Sequence, residues 1–215
     1  MSIEIRWTTL GMVATNAYLV ADTSTNNAVL IDPVDEAQTL VEMAQAAGWT
    51  IRLVLATHAH FDHVLASAEL VEQTGAPFYI HSEAAPYLDH LPETGVRFVG
   101  QRFPKAAEPD RLLADEETVE LDGIKLRALY TPGHAPGHLS FLLAGEKTVF
   151  SGDALFAGAI GRTDLEGGSL AVLMNSIKTK LLPLDDDVRV LPGHGDETTI
   201  GRERRTNPFI VQYGD

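Results

Sequence analysis

The chain of 215 residues contains no cysteine. Disulfides and thiolate metal ligands are thereby excluded, and any metal must be held by His, Asp or Glu. Positive charge is also short: 16 Lys and Arg stand against 30 Asp and Glu, a formal net charge of −14. So acidic a chain repels phosphate backbones and anionic lipid, which argues against nucleic acid and membrane surfaces as partners. No apolar run approaches the ~18 residues of a spanning helix. Glu4 and Arg6 interrupt the first apolar stretch, so the unbroken core of a signal peptide is missing. A cytoplasmic protein is expected. Linker-like low-complexity stretches are absent too, and residues 1–215 are expected to form one domain.

What is present alternates. Tyr18-Leu19-Val20 and Ala28-Val29-Leu30-Ile31 are β-prone runs around a turn, and Asp32-Pro33 ends the second. Leu40, Met43, Ala44 and Ala47 repeat at helical spacing, with Gly48 as a stop. Strand, helix and strand follow at Leu53–Ala56, Ser67–Gln73 and Phe78–Ile80, an α/β pattern. From Leu91 to Glu117 the pattern weakens; Pro92, Pro104 and Pro109 interrupt it, and a long loop is predicted. Strands return at Val119–Leu121, Lys125–Tyr130, Phe141–Leu143, Thr148–Phe150 and Val188–Leu191. Between the last two, Ser169 to Leu181 is an amphipathic helix with Leu170, Leu173, Met174, Ile177 and Leu181 on one face.

Eight histidines occur in all, and three of them fall within "HAHFDH", His58 to His63. This cluster follows an apolar strand, and three later strands share that arrangement. Ala128-Leu129-Tyr130 leads to His134 through Thr-Pro-Gly, Thr148-Val149-Phe150 to Asp153 through Ser-Gly, and Val188 to Leu191 to His194 through Pro-Gly. Sites in α/β folds form where loops beyond strand ends converge. Gly133, Gly152 and Gly193 would let the backbone present those side chains. Neither a regular helix nor a regular strand aims His58, His60, Asp62 and His63 at one ion. Seven candidate donors exceed what one tetrahedral ion takes, and they divide into two sets that share a carboxylate. The count favours a dinuclear site.

The first motif, "THAHFDH", resembles the His-x-His-x-Asp-His signature of the metallo-β-lactamase superfamily. "TPGHAPGH", "FSGDALFAGAIGRTDL" and "VLPGHGDETTIGRERRTNPF" follow in the order of its glyoxalase II-like branch. The resemblance runs from Asn16 to about Phe209 and is closest to the short, single-domain type II glyoxalase-like proteins, which lack a C-terminal helical domain. It implies an αβ/βα sandwich: two mixed β-sheets flanked by helices. It also implies that His58, His60 and His134 hold one divalent metal and Asp62, His63 and His194 a second, with Asp153 bridging. Zn or Fe suits such a set, Mn being a further option. The resemblance implies a bridging hydroxide, oriented by Asp62 and Asp153, that hydrolyses a thioester such as a glutathione-derived one. A thiolate leaving group, whose conjugate acid has a pKa of ~8.5, needs no strong protein acid. Alternative activities in the same branch are a glutathione persulfide dioxygenase, with one Fe on residues matching His58, His134 and Asp153, and a lactonase.

Arg162 occupies the place where glyoxalase II has a basic residue contacting glutathione. With Asp164 two residues on, it serves as that contact or as a loop brace. His81 and His138 are read as hydrogen-bonded supports, with His138 possible beside the metal, and His90 as surface. Tyr87, Phe98 and Phe103 either wall a pocket or anchor the loop, and Arg202, Arg204 and Arg205 form a solvated helix face.

Overall fold

The computed structural model describes residues 2–213. The first half runs β1 (Ile3–Leu10), β2 (Thr15–Asp22), β3 (Asn27–Ile31), α1 (Ala37–Ala46), β4 (Thr50–Leu55), α2 (Phe61–Val64), α3 (Ser67–Thr74), β5 (Phe78–His81), α4 (Ala85–Leu88), α5 (Leu91–Val99) and β6 (Arg111–Leu113). The second half runs β7 (Thr118–Leu121), β8 (Ile124–Tyr130), β9 (Leu139–Leu143), β10 (Thr148–Gly152), β11 (Leu155–Phe156), β12 (Ala159–Ile160), α6 (Leu170–Ser176), a π-helical turn (Ile177–Leu181), β13 (Arg189–Pro192), β14 (Thr198–Thr199), α7 (Ile200–Thr206) and α8 (Pro208–Tyr213).

Each half builds a mixed six-stranded sheet, in the orders β1-β2-β3-β4-β5-β6 and β14-β13-β10-β9-β8-β7. Period-2 alternation decides how they stack. In β2, Tyr18 and Val20 point to one face and Ala17, Leu19 and Ala21 to the other, and every residue of the strand is buried. A strand apolar on both faces must be covered on both. Tyr18, Val20, Val29, Ile31 and Leu55 therefore meet Leu126, Phe141 and Phe150 of the second sheet in a central layer. The opposite face of the first sheet packs under Leu40 of α1 and Leu70 of α3, and that of the second under Leu173 of α6 and Ile200 of α7. The αβ/βα sandwich with two mixed sheets is thus borne out.

Two local expectations are corrected. The interval from Leu91 to Glu117 is not a long loop: it holds α5 and the edge strand β6. Pro92 misleads because it sits in the first turn of α5, where its missing N–H costs nothing. The helix beginning after Ser169 stays α-helical only to Ser176 and then widens into the π turn. Leu170 lies outside the buried face, 37% exposed, while Leu173, Ile177 and Leu181 are fully buried.

Candidate metal centre

Four strands deliver the donors. β4 ends at Leu55 and His58 follows, fully buried. The chain stays extended through His60, whose φ and ψ are −66° and 145°, and then enters α2, which carries Asp62 and His63. The change from extended chain to helical turn aims all four side chains inward, which neither element alone would do. β8 leads to His134 across Gly133, where a Cβ would strike the backbone of Leu173. The Gly133 carbonyl accepts from Ser169 N–H at 2.7 Å, so α6 is docked one residue before His134. β10 leads to Asp153 and the parallel β13 to His194. Gly193 is not needed for a left-handed bend, as expected from sequence; it is needed for space, because a Cβ there would collide with Asp153 Oδ1 and His63.

All seven residues meet. His60 Nδ1 lies 3.0 Å from His58 Nε2 and 2.9 Å from His134 Nε2. His63 Nε2 is 3.4 Å from Asp62 Oδ2 and 3.3 Å from Asp153 Oδ1. His194 Nε2 is 3.3 Å from Asp62 Oδ2 and 3.4 Å from Asp153 Oδ2, which is also 3.4 Å from His134 Nε2. Donors ~2.0–2.1 Å from a tetrahedral ion stand about 3.3 Å from one another, so this spacing is that of a coordination shell.

The outward hydrogen bonds fix which ring nitrogen faces in. Nδ1–H donates to Thr57 Oγ1 from His58 (3.0 Å), to Asp32 Oδ2 from His63 (2.9 Å), to the Arg162 carbonyl from His134 (2.8 Å) and to the Ala14 carbonyl from His194 (3.3 Å). Each leaves Nε2 for a metal ion or a proton. His63 Nε2 and Asp153 Oδ1 are buried and have no hydrogen-bond partner. Such orphaned buried atoms are costly unless a cation completes them. The residues present fit two metal ions.

Electrostatics divides the cluster in two. Burial, then the neighbouring imidazoles, holds His58 well below the usual imidazole range, and burial with His134 takes His60 to about 4. Burial lowers His134 as well. These three rings are neutral donors. Around His63, burial opposes charge, but Asp62, Asp153 and Asp32 outweigh it and raise the pKa. At His194 hydrogen bonds to Asp153 and Asp62 prevail over burial and raise it to about 10. The carboxylate side thus calls for positive charge at its centre.

Several supporting residues escape motif reading. Asp32, expected only to end β3, is buried with φ 59° and binds three donors: Thr57 N–H (2.7 Å), Thr57 Oγ1–H (3.0 Å) and the His63 ring. A non-glycine residue in the left-handed region at a strand end was the available signal. Thr15 Oγ1 donates to Asp62 Oδ2 at 2.8 Å. Asn16 Nδ2 and Tyr18 Oη both donate to the Pro192 carbonyl, at 3.0 and 2.6 Å, tying β2 to the loop that carries His194. His138 Nε2 accepts from Asp153 N–H at 3.0 Å, and its Nδ1 donates to Thr131 Oγ1 at 2.9 Å. It therefore orients Asp153 and does not join the donors.

Above the cluster opens a cavity of 670 Å³ with Met12, Val13, Phe61, Tyr87, Phe98 and Leu165 among its walls. His90, expected as plain surface, lines it too. Phe103 does not; it stacks beneath Phe61 at 5.4 Å. Arg162 reaches the cavity, but its guanidinium is held by Asp164, Nε to Oδ1 at 2.7 Å and Nη2 to Oδ2 at 2.8 Å. His81 stacks on Tyr130 at 4.8 Å, away from the cavity. Arg204 and Arg205 pair with Asp186.

A two-sheet sandwich whose strand ends gather His and Asp donors under an open cavity has the architecture of the metallo-hydrolases. The chain belongs to the Metallo-beta-lactamase superfamily, whose family model matches residues 10–194. It is 42% identical over 186 residues to hydroxyacylglutathione hydrolase GloC of Haemophilus influenzae, covering 86% of this chain and 87% of that one. Among solved structures it is similar to the BLEG-1 B3 metallo-beta-lactamase, with a TM-score of 0.91 and 36% identity over 97% of this chain and 100% of that one. The di-iron-bound form of TTHA1623 gives a TM-score of 0.86 and 43% identity, covering 95% and 99% of the two chains.

Proposed function

We propose that the protein hydrolyses thioesters of the hydroxyacylglutathione type and holds two divalent metal ions on His58, His60, His134, Asp62, His63, His194 and the shared Asp153. The observation that carries this reading is a seven-donor cluster, with Asp153 Oδ1 buried and lacking a hydrogen-bond partner, at the floor of a cavity walled in part by apolar side chains. Likeness to a hydroxyacylglutathione hydrolase supports the choice of substrate. When bound, the ions supply Lewis acidity toward the acyl oxygen and a water of lowered pKa.

The chain's own residues do the rest. The neutral rings of His58, His60 and His134 donate lone pairs without adding charge, while Asp62 and Asp153 supply the negative charge that holds cations. The Nδ1–H bonds to Thr57, Asp32, Arg162 and Ala14 lock ring orientation before substrate arrives. Met12, Val13, Phe61 and Phe98 give the acyl group apolar surface to lie against. A thiol with a pKa of ~8.5 leaves as thiolate, so a protein acid is not required. Zinc and iron both suit imidazole with carboxylate, and iron is favoured by the di-iron form of TTHA1623.

The test is metal analysis of protein purified without chelator, alongside steady-state assays with S-lactoylglutathione and a β-lactam. Two metals per chain and preferred turnover of the thioester are expected. One iron per chain with oxygen uptake on glutathione persulfide would overturn the hydrolase reading. Turnover of the β-lactam alone would overturn the substrate.

A further inference from the structure

The cavity walls carry two arginines, Arg97 and Arg162, and their circumstances differ. Arg162 is neutralised by the bidentate pair with Asp164. Arg97 stands in the last turn of α5, and the acidic residue one turn before it, Glu93, is taken by Arg102 at 2.6 Å. Among the described residues no carboxylate reaches Arg97; its guanidinium lies over the Phe98 ring, 5.7 Å from the centroid. Gly100, in the left-handed region with φ 72°, ends the helix immediately beyond and fixes where that turn points.

We propose that Arg97 is the specificity-determining residue of the cavity, binding a carboxylate on the thiol half of the substrate. The inference rests on the thioesterase reading and adds to it the residue that selects the thiol. An exposed guanidinium beside an aromatic face is a ready site for a planar anion, because it binds a carboxylate through two parallel N–H donors. Charge count chooses among thiols. Once Asp164 is matched by Arg162, the rim keeps Arg97 and the carboxylate of Glu166, which has no cationic partner among the described residues. One guanidinium matches one carboxylate of a peptide-like thiol. A coenzyme A thioester would bring several phosphate charges against that single cation and against Glu166. Arg97 also complements the C-terminal end of the α5 dipole. That structural role would alter stability, not selection between charged and neutral substrates.

The experiment compares wild type, Arg97→Gln and Arg97→Lys, each with its metals. Three probes are used: S-lactoylglutathione, the uncharged lactoyl thioester of N-acetylcysteamine, and acetyl coenzyme A. Calorimetric titration with S-methylglutathione reports binding without turnover. Arg97→Gln should raise KM for S-lactoylglutathione about tenfold and weaken S-methylglutathione by a similar factor, with kcat within about twofold. KM for the uncharged thioester should stay unchanged, and Arg97→Lys should recover most of the loss. The proposal is overturned by equal S-methylglutathione affinity in wild type and Arg97→Gln, by no wild-type binding at millimolar concentration, or by equal loss on the uncharged thioester. Loss confined to coenzyme A would overturn it in favour of phosphate recognition. A wild type that binds S-methylglutathione through Arg97 yet hydrolyses neither lactoyl thioester would sink the thioesterase reading alone.

Discussion

One side of the donor cluster, His58, His60 and His134, offers three imidazole nitrogens, whereas the other sets His63 and His194 against Asp62 and Asp153. Burial and mutual repulsion keep the first three rings neutral. The carboxylates draw positive charge onto the second side. A dication among neutral imidazoles keeps most of its charge and is the stronger Lewis acid. One beside two carboxylates is better compensated and is held chiefly by electrostatics. In the proposed reaction this difference would place polarisation of the acyl oxygen on the imidazole side, and retention of the cluster on the carboxylate side. Asp153 is a carboxylate that lies against both, with Oδ1 3.3 Å from His63 Nε2 and Oδ2 3.4 Å from His134 Nε2.

The largest expected effect follows from that shared position. Asp153→Ala should break both sides together, lowering kcat by more than about 10³-fold and dropping metal content toward zero. Retention of two metals per chain by elemental analysis would show that the sides are independent. His60→Ala should separate them: about one metal per chain remains, on the carboxylate side, while kcat falls by roughly 10²–10³-fold. Equal loss of both metals would mean that the imidazole side also holds the other in place.

Next in size is Asp32→Asn, which meets His63 directly and His58 only through the Thr57 hydroxyl. The carboxylate accepts from Thr57 N–H, Thr57 Oγ1–H and the His63 ring together. An amide has one accepting oxygen, so its NH2 faces either Thr57 N–H or the pair Thr57 Oγ1–H and His63 Nδ1–H, and the His63 ring is held less firmly in one tautomer. Metal affinity on the carboxylate side should fall about 10–100-fold, as competition with a chelator would measure, while the imidazole side keeps its metal.

Legibility in the sequence tracks how each part is built. The donors could be read because they obey local syntax: an apolar strand, a small-residue break, then a ligand-type side chain, four times over. His58 to His63 needed only the step from extended chain into α2 to become convergent. The sheets were legible where strands are buried on both faces, as in β2, because continuous apolar runs leave little ambiguity. Apart from His138, support for the site was not legible, since it depends on contacts across large separations in sequence. Asp32 reaches Thr57 and His63 and looks like a turn residue until the strands are adjacent. α5 was hidden because Pro92 signals a break in general but a first turn where it stands. Arg97 went unnoticed for the same reason, lying in the stretch read as loop, while Arg162 drew attention by its motif.

Arg162 gives the smallest expected effect and the sharpest use of the comparison, because its two ends do different things. Its backbone carbonyl accepts the Nδ1–H of His134, on the imidazole side of the cluster. Its side chain reaches the cavity already bound to Asp164. Arg162→Ala keeps the carbonyl, so His134 stays oriented and metal content should remain at the wild-type value. The pair is exposed and screened by water, so the fold should be little affected. KM for S-lactoylglutathione should rise less than about threefold, the residue's charge being spent on Asp164. A tenfold rise with unchanged metal content would instead mean that substrate displaces Asp164 and takes the guanidinium. Recognition would then lie beside His134, on the imidazole side, and not at Arg97.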